Sequence, residues 1–229
     1  PAVNNVSLTP PKQFGFVVVS AGKGLSEIFA DIGADSIIEG GQTMNPSTES
    51  ILDAVEGINA KCIFVLPNNK NIVLAAQQAA ELTAKNMIVI PSKSVPQGIS
   101  AMLAFNPNLD ANDNKENMIE AISEVKTGQV TYAVRDTSVG SKEIKQGDII
   151  GIDDEGINIV GQNPDEVCSQ LISNMINEDT SIVTIFYGSE IDQAYAESIE
   201  RKLSEDFEDI DVIVKSGGQP LYYYIISVE

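Results

Sequence analysis

Phe16-Val-Val-Val-Ser20, followed by Leu25, Ile28, Phe29 and Ile32, is the stretch that decides the fold. A run of β-branched and aromatic residues gives way to apolar residues three and four apart, which is the change from a strand period to a helix period. The same change recurs three times downstream. Ser36-Ile-Ile-Glu39 precedes Ile51, Leu52, Val55 and Ile58. Cys62-Ile-Phe-Val-Leu66 precedes an Ala-rich helix over 72–82, and Met87-Ile-Val-Ile90 precedes Ile99, Met102, Leu103 and Phe105. Four βα units in a row predict an α/β fold with a parallel sheet and helices on both faces, because each parallel strand needs a crossover.

The polar stretch 106–114 interrupts this pattern and is the candidate boundary. A helix follows it, with Asp113 and Glu116 as a capping pair and Met118, Ile119, Ile122 and Val125 facing inward. Beyond it come a strand at Val130-Thr-Tyr-Ala-Val134 and a hairpin of 149–152 and 157–159 turned at Asp153-Asp-Glu-Gly156. A helix opens at Asn163-Pro164, with Val167, Leu171 and Met175 inward. Then follow strand 182–186, a helix with Ile191, Tyr195, Ile199 and Leu203 on one side, strand 210–214 and a closing strand 222–228. The expected organisation is a linker over 1–13, a parallel α/β domain over 14–109, and a domain with a mixed sheet and helices over 110–229.

The 229 residues include 33 acids, 14 bases, two cysteines and no histidine, for a formal charge of −19. Without histidine there is no Ser-His-Asp or Cys-His pair and no His-ligated zinc, and two cysteines cannot make a four-cysteine site. The negative field repels phosphodiester backbones and anionic lipid, so neither nucleic acid nor a membrane surface is an expected partner. The longest apolar runs fall far short of the roughly 20 residues that span a bilayer. No signal peptide is visible at Pro1-Ala-Val-Asn-Asn5, and the two thiols suit a reducing cytoplasm. The start, without Met and with Ser7-Leu-Thr-Pro-Pro11, reads as a piece of a longer protein.

In open α/β sheets ligands bind beyond the carboxyl ends of the strands. The loops leaving those ends are polar: Gly22-Lys-Gly24, Gly40-Gly-Gln-Thr-Met-Asn-Pro-Ser-Thr48, Pro67-Asn-Asn-Lys-Asn71 and Pro91-Ser-Lys-Ser-Val-Pro-Gln97. Helix capping accounts for each loop singly, with Asn45 before Pro46 as one N-cap and Ser94 with Gln97 as a capping box. Four such loops along one edge point to a site, with Thr43, Asn45, Ser47, Asn68, Asn69, Lys70, Asn71, Ser92, Lys93, Ser94 and Gln97 as candidates. Gly217, Gly218 and Gln219 join them as residues able to present backbone donors. Lys23, Lys70 and Lys93 oppose the dipoles of the helices they precede, so they either hold an anion or point into solvent. The acidic run 205–211 lacks calcium-loop spacing and reads as a solvated helix end. Adjacent Tyr222, Tyr223 and Tyr224 read as sheet packing. No catalytic or metal-binding residue is assigned.

Four segments together carry a resemblance: Ile38-Glu-Gly-Gly-Gln-Thr-Met-Asn-Pro-Ser-Thr-Glu49, Phe64-Val-Leu-Pro-Asn-Asn-Lys-Asn-Ile72, Ile90-Pro-Ser-Lys-Ser-Val-Pro-Gln-Gly98 and Gly217-Gly-Gln-Pro-Leu-Tyr-Tyr-Tyr-Ile225. Over 14–229 the chain resembles the C-terminal domain of the FakA (YloV) family of fatty acid kinase subunits. The resemblance implies a DegV-like pair of α/β domains. It also implies a DhaL-like kinase domain upstream, using ATP and magnesium, so no cofactor is expected in this segment. Its implied partners are that kinase domain and the acyl-carrying FakB-type protein, and a homodimer is compatible with it. A fainter similarity runs to the DegV and FakB proteins themselves. Their Ser-Gln-Pro-Ser stretch is similar to Met44-Asn-Pro-Ser-Thr48, and their Asp-Ser strand end to Pro91-Ser92 with Gly98. Gly217-Gly-Gln-Pro220 matches their His-Thr-Gly-Pro-Gly element in position alone.

Three functions compete. A noncatalytic docking domain would bring an acyl-loaded carrier to the kinase and raise its effective concentration there. A DegV-type binder would hold a small molecule or fatty acid between the two domains near Thr43, Asn45, Ser92 and Gly218. An autonomous phosphotransferase using Lys70 or Lys93 ranks last, since the chain lacks a Walker loop and a kinase glycine-rich loop.

Overall fold

Strand β1 (Lys12–Ser20) is the axis of the first unit, flanked by β2 (Ser36–Glu39) on one side and β3 (Ala60–Leu66) on the other, with β4 (Met87–Val89) beyond β3. All three pairings are parallel, giving the order β2-β1-β3-β4 in the computed structural model, which describes residues 10–41, 45–140 and 142–229. The chain divides into two compact units. One combines residues up to Ser20 with Ile28–Glu120, and the other combines Ala21–Glu27 with Ala121–Glu229. Helix α1 (Lys23–Asp31) contributes residues to both.

In the first unit the strand period sorts side chains onto two faces. Val17, Val19, Ile63 and Val65 meet Ile51 and Val55 of α2 (Thr48–Glu56) and Ile72, Ala76 and Ala79 of α3 (Lys70–Leu82), all buried. On the other face Phe14, Phe16 and Phe64 surround Phe105, which follows α4 (Val95–Leu103), with ring centroids 4.9–6.1 Å apart. Edge-on contacts of this kind add about 0.5–1.5 kcal/mol per pair to the area they bury. Lys85 closes the end of α2, donating to Val55 O, Glu56 O and Ile58 O at 2.7–2.9 Å.

Helix α5 (Ala111–Glu124) departs from the sequence reading. Its cap is Asp110, which accepts from Asn112 N and Asp113 N at 2.8 and 3.0 Å, and not the expected pair of Asp113 and Glu116. Asn114 is fully buried, accepting from Asn106 N at 2.7 Å and donating to Asn106 O and Asp110 O at 2.9 Å. Satisfying this amide fixes which face turns in, so Asn114 and Met118 are inside while Ile119 is exposed. Leu103, also expected inside, is exposed as well.

The second unit is a six-stranded mixed sheet in the order β11-β10-β12-β5-β8-β9. Its strands are β5 (Lys126–Tyr132), β8 (Ile149–Asp153), β9 (Gly156–Gly161), β10 (Ile182–Tyr187), β11 (Asp211–Ser216) and β12 (Tyr224–Val228). Of its pairs, β10 with β11 is parallel and the others are antiparallel. Strand β5 starts four residues before the expected Val130. Gly128 brings the backbone close to Met175 and Leu171, where a Cβ would sit 2.8 and 3.1 Å from their side chains. A short hairpin of β6 (Thr137–Val139) and β7 (Lys142–Ile144) has no counterpart in the sequence reading, and it buries Ile144 against Ala133 and Ile150.

Helices α6 (Pro164–Met175) and α7 (Gln193–Asp206) cover one face of this sheet with Val167, Cys168, Leu171, Ile172, Ile199 and Leu203. Asn163 caps α6 as expected, accepting from Asp165 N and Glu166 N at 2.8 and 3.2 Å. In α7 it is Ala196 that turns inward beside Ile199, and Tyr195, about 100° around the helix, stands 61 % exposed. No helix among the described residues is long and apolar enough to cross a membrane.

Candidate functional site

The order β2-β1-β3-β4 reverses direction at β1, so the carboxyl ends of β1 and β3 form the switch point where open α/β sheets bind ligands. In this chain a side chain fills that position. The paired register of β1 and β3 ends at Val18 and Leu66. Two residues on, Asn68 takes a left-handed conformation (φ +53°) and turns its amide back, donating from Nδ2 to Val19 O at 2.9 Å. Its Oδ1 accepts from Ser92 Oγ at 2.7 Å, and Ser92 Oγ accepts from Asn68 N at 3.1 Å. Asn68 is 7 % exposed and Ser92 fully buried. Gly98 in α4 makes room for this, since a Cβ there would collide with the Asn68 amide. The end of β1 and the loops after β3 and β4 are therefore tied to one another across the switch point.

Four of the remaining candidates, Ser47, Asn69, Ser94 and Gln97, act at helix starts. Asn69 accepts from Asn71 N at 2.9 Å at the start of α3 and donates to Gly41 O. Ser94 caps α4 by accepting from Gln97 N at 3.3 Å, and Gln97 Oε1 accepts from Lys93 N at 2.8 Å, one residue earlier than a standard capping box reaches. The cap of α2 is Ser47, accepting from Ser50 N at 3.1 Å, so Asn45 is not the cap that the sequence suggested. Asn45, Asn71, Lys70 and Lys93 are exposed, and neither lysine ammonium has a hydrogen-bond or ion-pair partner among the described residues. Lys23 pairs with Glu27 at 3.6 Å on the surface of α1. Thr43 lies outside the described residues. Ser20, in sequence only the plain end of a strand, is 1 % exposed with a hydroxyl that has no partner among the described residues.

In the second unit Gly217, Gly218 and Gln219 belong to a corner of close backbone contacts. Gly217 N and Gly218 N both donate to Tyr187 O, at 2.9 and 3.1 Å, and Gly217 O accepts from Leu25 N at 3.1 Å. Gly22 and Gly24 pack on this corner: a Cβ at Gly22 would sit 2.6 Å from Gln219 N, and one at Gly24 would overlap Ser216 O. Gln219 is fully buried. Its Nε2 donates to Phe186 O at 2.8 Å, while its Oε1 lies against Gly217 without a hydrogen-bond partner among the described residues.

Two polar clefts lie apart from these residues. One of about 500 Å³ is lined by Lys126, Asp153, Asp154, Glu155, Asn158, Asn174 and Met175. The other, about 410 Å³, runs beside β4 with Glu81 and Lys115 at its rim. Burial pushes the Cys62 thiol up, and burial followed by the Asp165 carboxylate pushes Cys168 far up, so neither is a ready nucleophile. No group of three or more metal-ligating side chains occurs among the described residues.

Residues 15–229 match the family of FakA-like C-terminal domains of fatty acid kinase. Protein YloV of Bacillus subtilis (strain 168) is 51 % identical over 223 residues, which is 96 % of this chain and 40 % of YloV. The chain belongs to the FakA-like C-terminal family. It spans 40 % of the length of the curated relatives it matches. Among solved structures, a DegV family protein from Corynebacterium glutamicum superposes with a TM-score of 0.67 at 11 % identity, over 94 % of this chain and 96 % of that one. The Streptococcus pneumoniae fatty acid kinase B3 protein loaded with linoleic acid gives 0.60 at 11 % identity, over 95 % and 99 %. At such identities the likeness establishes the DegV-like fold. Within that fold, this FakA-like chain has its switch-point amide and hydroxyl bonded to each other and to the backbone.

Proposed function

We propose that this chain is the noncatalytic domain of a fatty acid kinase subunit that docks an acyl-carrying, FakB-type protein and delivers it to a DhaL-like kinase domain on the same polypeptide. The observation that carries the proposal is the closed switch point. Asn68 and Ser92 direct their hydrogen bonds to Val19 and to each other, which suits a domain that keeps a DegV-like fold for its surface. Family membership supplies the biochemical context, and ATP and magnesium belong to the kinase domain in this reading. Tethering makes delivery partly intramolecular, so moderate affinity is enough. Mixing the chain with its cognate acyl carrier on a biosensor at low salt tests the proposal. Association at tens of micromolar or tighter is expected, and none at that concentration overturns it.

A second reading has one observation in its favour. Lys70 and Lys93 are cations without partners among the described residues, near the starts of α3 and α4, where a carboxylate or phosphate would be attracted. In that case the chain binds a small acidic ligand itself, and native mass spectrometry of protein purified without added ligand would show a co-purifying acyl chain.

A further inference from the structure

The negative charge of this chain is unevenly placed. The first unit holds 11 acidic and 6 basic residues, whereas the second holds 22 and 8. Within the second unit, 190–211 alone carry nine acids against Arg201 and Lys202. This segment is α7 with its two flanking loops and the first residue of β11. Asp192 stands at the N-cap of α7, yet its side chain accepts no capping bond. Asp206, Glu208 and Asp209 are exposed, with no ion-pair or hydrogen-bond partner among the described residues. Unpaired like charges at this density repel one another and weaken the folded state.

An aromatic side chain stands on the same helix. Tyr195 is 61 % exposed one turn from Asp192, beside the exposed Ala194, with the exposed Ser198 one turn on. Ala196, Ile199 and Leu203 hold α7 to the sheet, so Tyr195 contributes nothing to that core. Interfaces enrich tyrosine, which anchors in a pocket of the partner, and charges at their rim steer encounter.

We propose that the outer face of α7 is the docking surface of this domain, with Tyr195 as its anchor and Asp192, Asp206 and Asp209 as steering charges. Its occupant is a lysine- or arginine-bearing face of the acyl-carrier protein. A second copy of this chain is disfavoured on charge, because acidic faces would meet. The inference rests on the docking reading above and commits it to one face.

The test measures binding of an oleate-loaded FakB-type protein from the same organism to the 229-residue chain and three variants. Tyr195→Ala should weaken affinity by about tenfold or more through faster dissociation. Asp206→Asn with Asp209→Asn should slow association about threefold or more at low ionic strength and leave it nearly unchanged at high salt. Asp113→Asn with Glu116→Gln removes the same charge from α5 and should alter neither rate. Circular dichroism shows that each variant is folded, and every substituted position is exposed. Tight binding by the parent chain with wild-type rates in Tyr195→Ala and Asp206→Asn/Asp209→Asn overturns the α7 face while sparing the docking reading. No binding by the parent chain overturns both.

Discussion

Replacing Asn68 by alanine tests whether the switch point of the first unit is held by structure. The substitution removes the donor to Val19 O, 2.9 Å away, and the acceptor of Ser92 Oγ, 2.7 Å away, in a place where Ser92 is fully buried. Each buried partner left unsatisfied costs about 1–3 kcal/mol. Alanine must also hold φ near +53°, a region asparagine tolerates through local hydrogen bonding and alanine enters at about 1 kcal/mol or more. Together these give about 3–7 kcal/mol, a large part of the roughly 5–15 kcal/mol that separates folded from unfolded domains. Urea denaturation followed by circular dichroism reads the loss. Asn68→Gly removes the backbone strain and should recover about 1 kcal/mol of it. Ser92→Ala should cost about 1–3 kcal/mol, and less than additively in an Asn68→Ala background, since the two side chains share one bond. A loss under about 1 kcal/mol in Asn68→Ala would mean that water replaces the amide easily and that the switch point is open, which refutes the reasoning.

Other substitutions probe the same account. Gly24→Ala pushes a methyl into Ser216 O and should cost more than about 3 kcal/mol or prevent folding, measured by soluble yield and urea midpoint. Lys70→Ala and Lys93→Ala, both at exposed positions, should each change stability by less than about 0.5 kcal/mol in the same assay. Tyr224 is raised by burial, then by its hydrogen bond to the Asp165 carboxylate, and burial also raises Tyr222 and Tyr223. Raised tyrosine pKa values contribute stability that is intact below the unfolded value near 10 and is lost as pH climbs from there toward the higher folded values, because the unfolded chain ionises first. Alkaline titration should therefore unfold the second unit above about pH 10, with a shallower slope in Tyr224→Phe. Cys62 and Cys168, both buried, should react with a thiol reagent at the unfolding rate, and immediate labelling of the native chain would contradict their placement.

Much of the fold is legible in the sequence because periodicity and turn chemistry act locally. The four βα units, the Asp153 to Gly156 hairpin and the Asn163 cap all follow from neighbouring residues. What the sequence leaves open depends on partners far along the chain. Which face of α5 turns inward is set by the bonds of Asn114 to Asn106 and Asp110, and polar residues carry no weight in an apolar count. Tyr195 fits the inward stripe of α7 by spacing, yet the small Ala196 lies closer to the sheet. The first half of β5 is hidden by Gly128, whose role is to let Met175 and Leu171 approach.

The polar strand-end loops show the same limit at the candidate site. Capping by Asn69 and Ser94 follows from their place before helices, as the sequence indicates. The role of Asn68 does not, because its partners are 49 and 24 residues away and its left-handed turn has no marker beyond the residue type. The same Asn-Asn-Lys-Asn string that suggests a ligand site is used to join the end of β1 and the loops after β3 and β4. Surface features are harder still to foresee: the acids of 205–211 are visible in the sequence, but the isolation of Asp206, Glu208 and Asp209 from partners among the described residues and the outward position of Tyr195 are properties of the fold.

The central claim, that this domain docks the acyl carrier and performs no chemistry, is tested most directly by adding the isolated chain to a fatty acid kinase assay that contains the longer polypeptide, its acyl carrier, ATP and magnesium. In molar excess over the carrier, the isolated chain should lower acyl phosphate formation in proportion to the carrier it sequesters, and it should turn over no ATP when the longer polypeptide is left out. An undiminished rate at saturating excess, or ATP turnover by the isolated chain, would contradict the account.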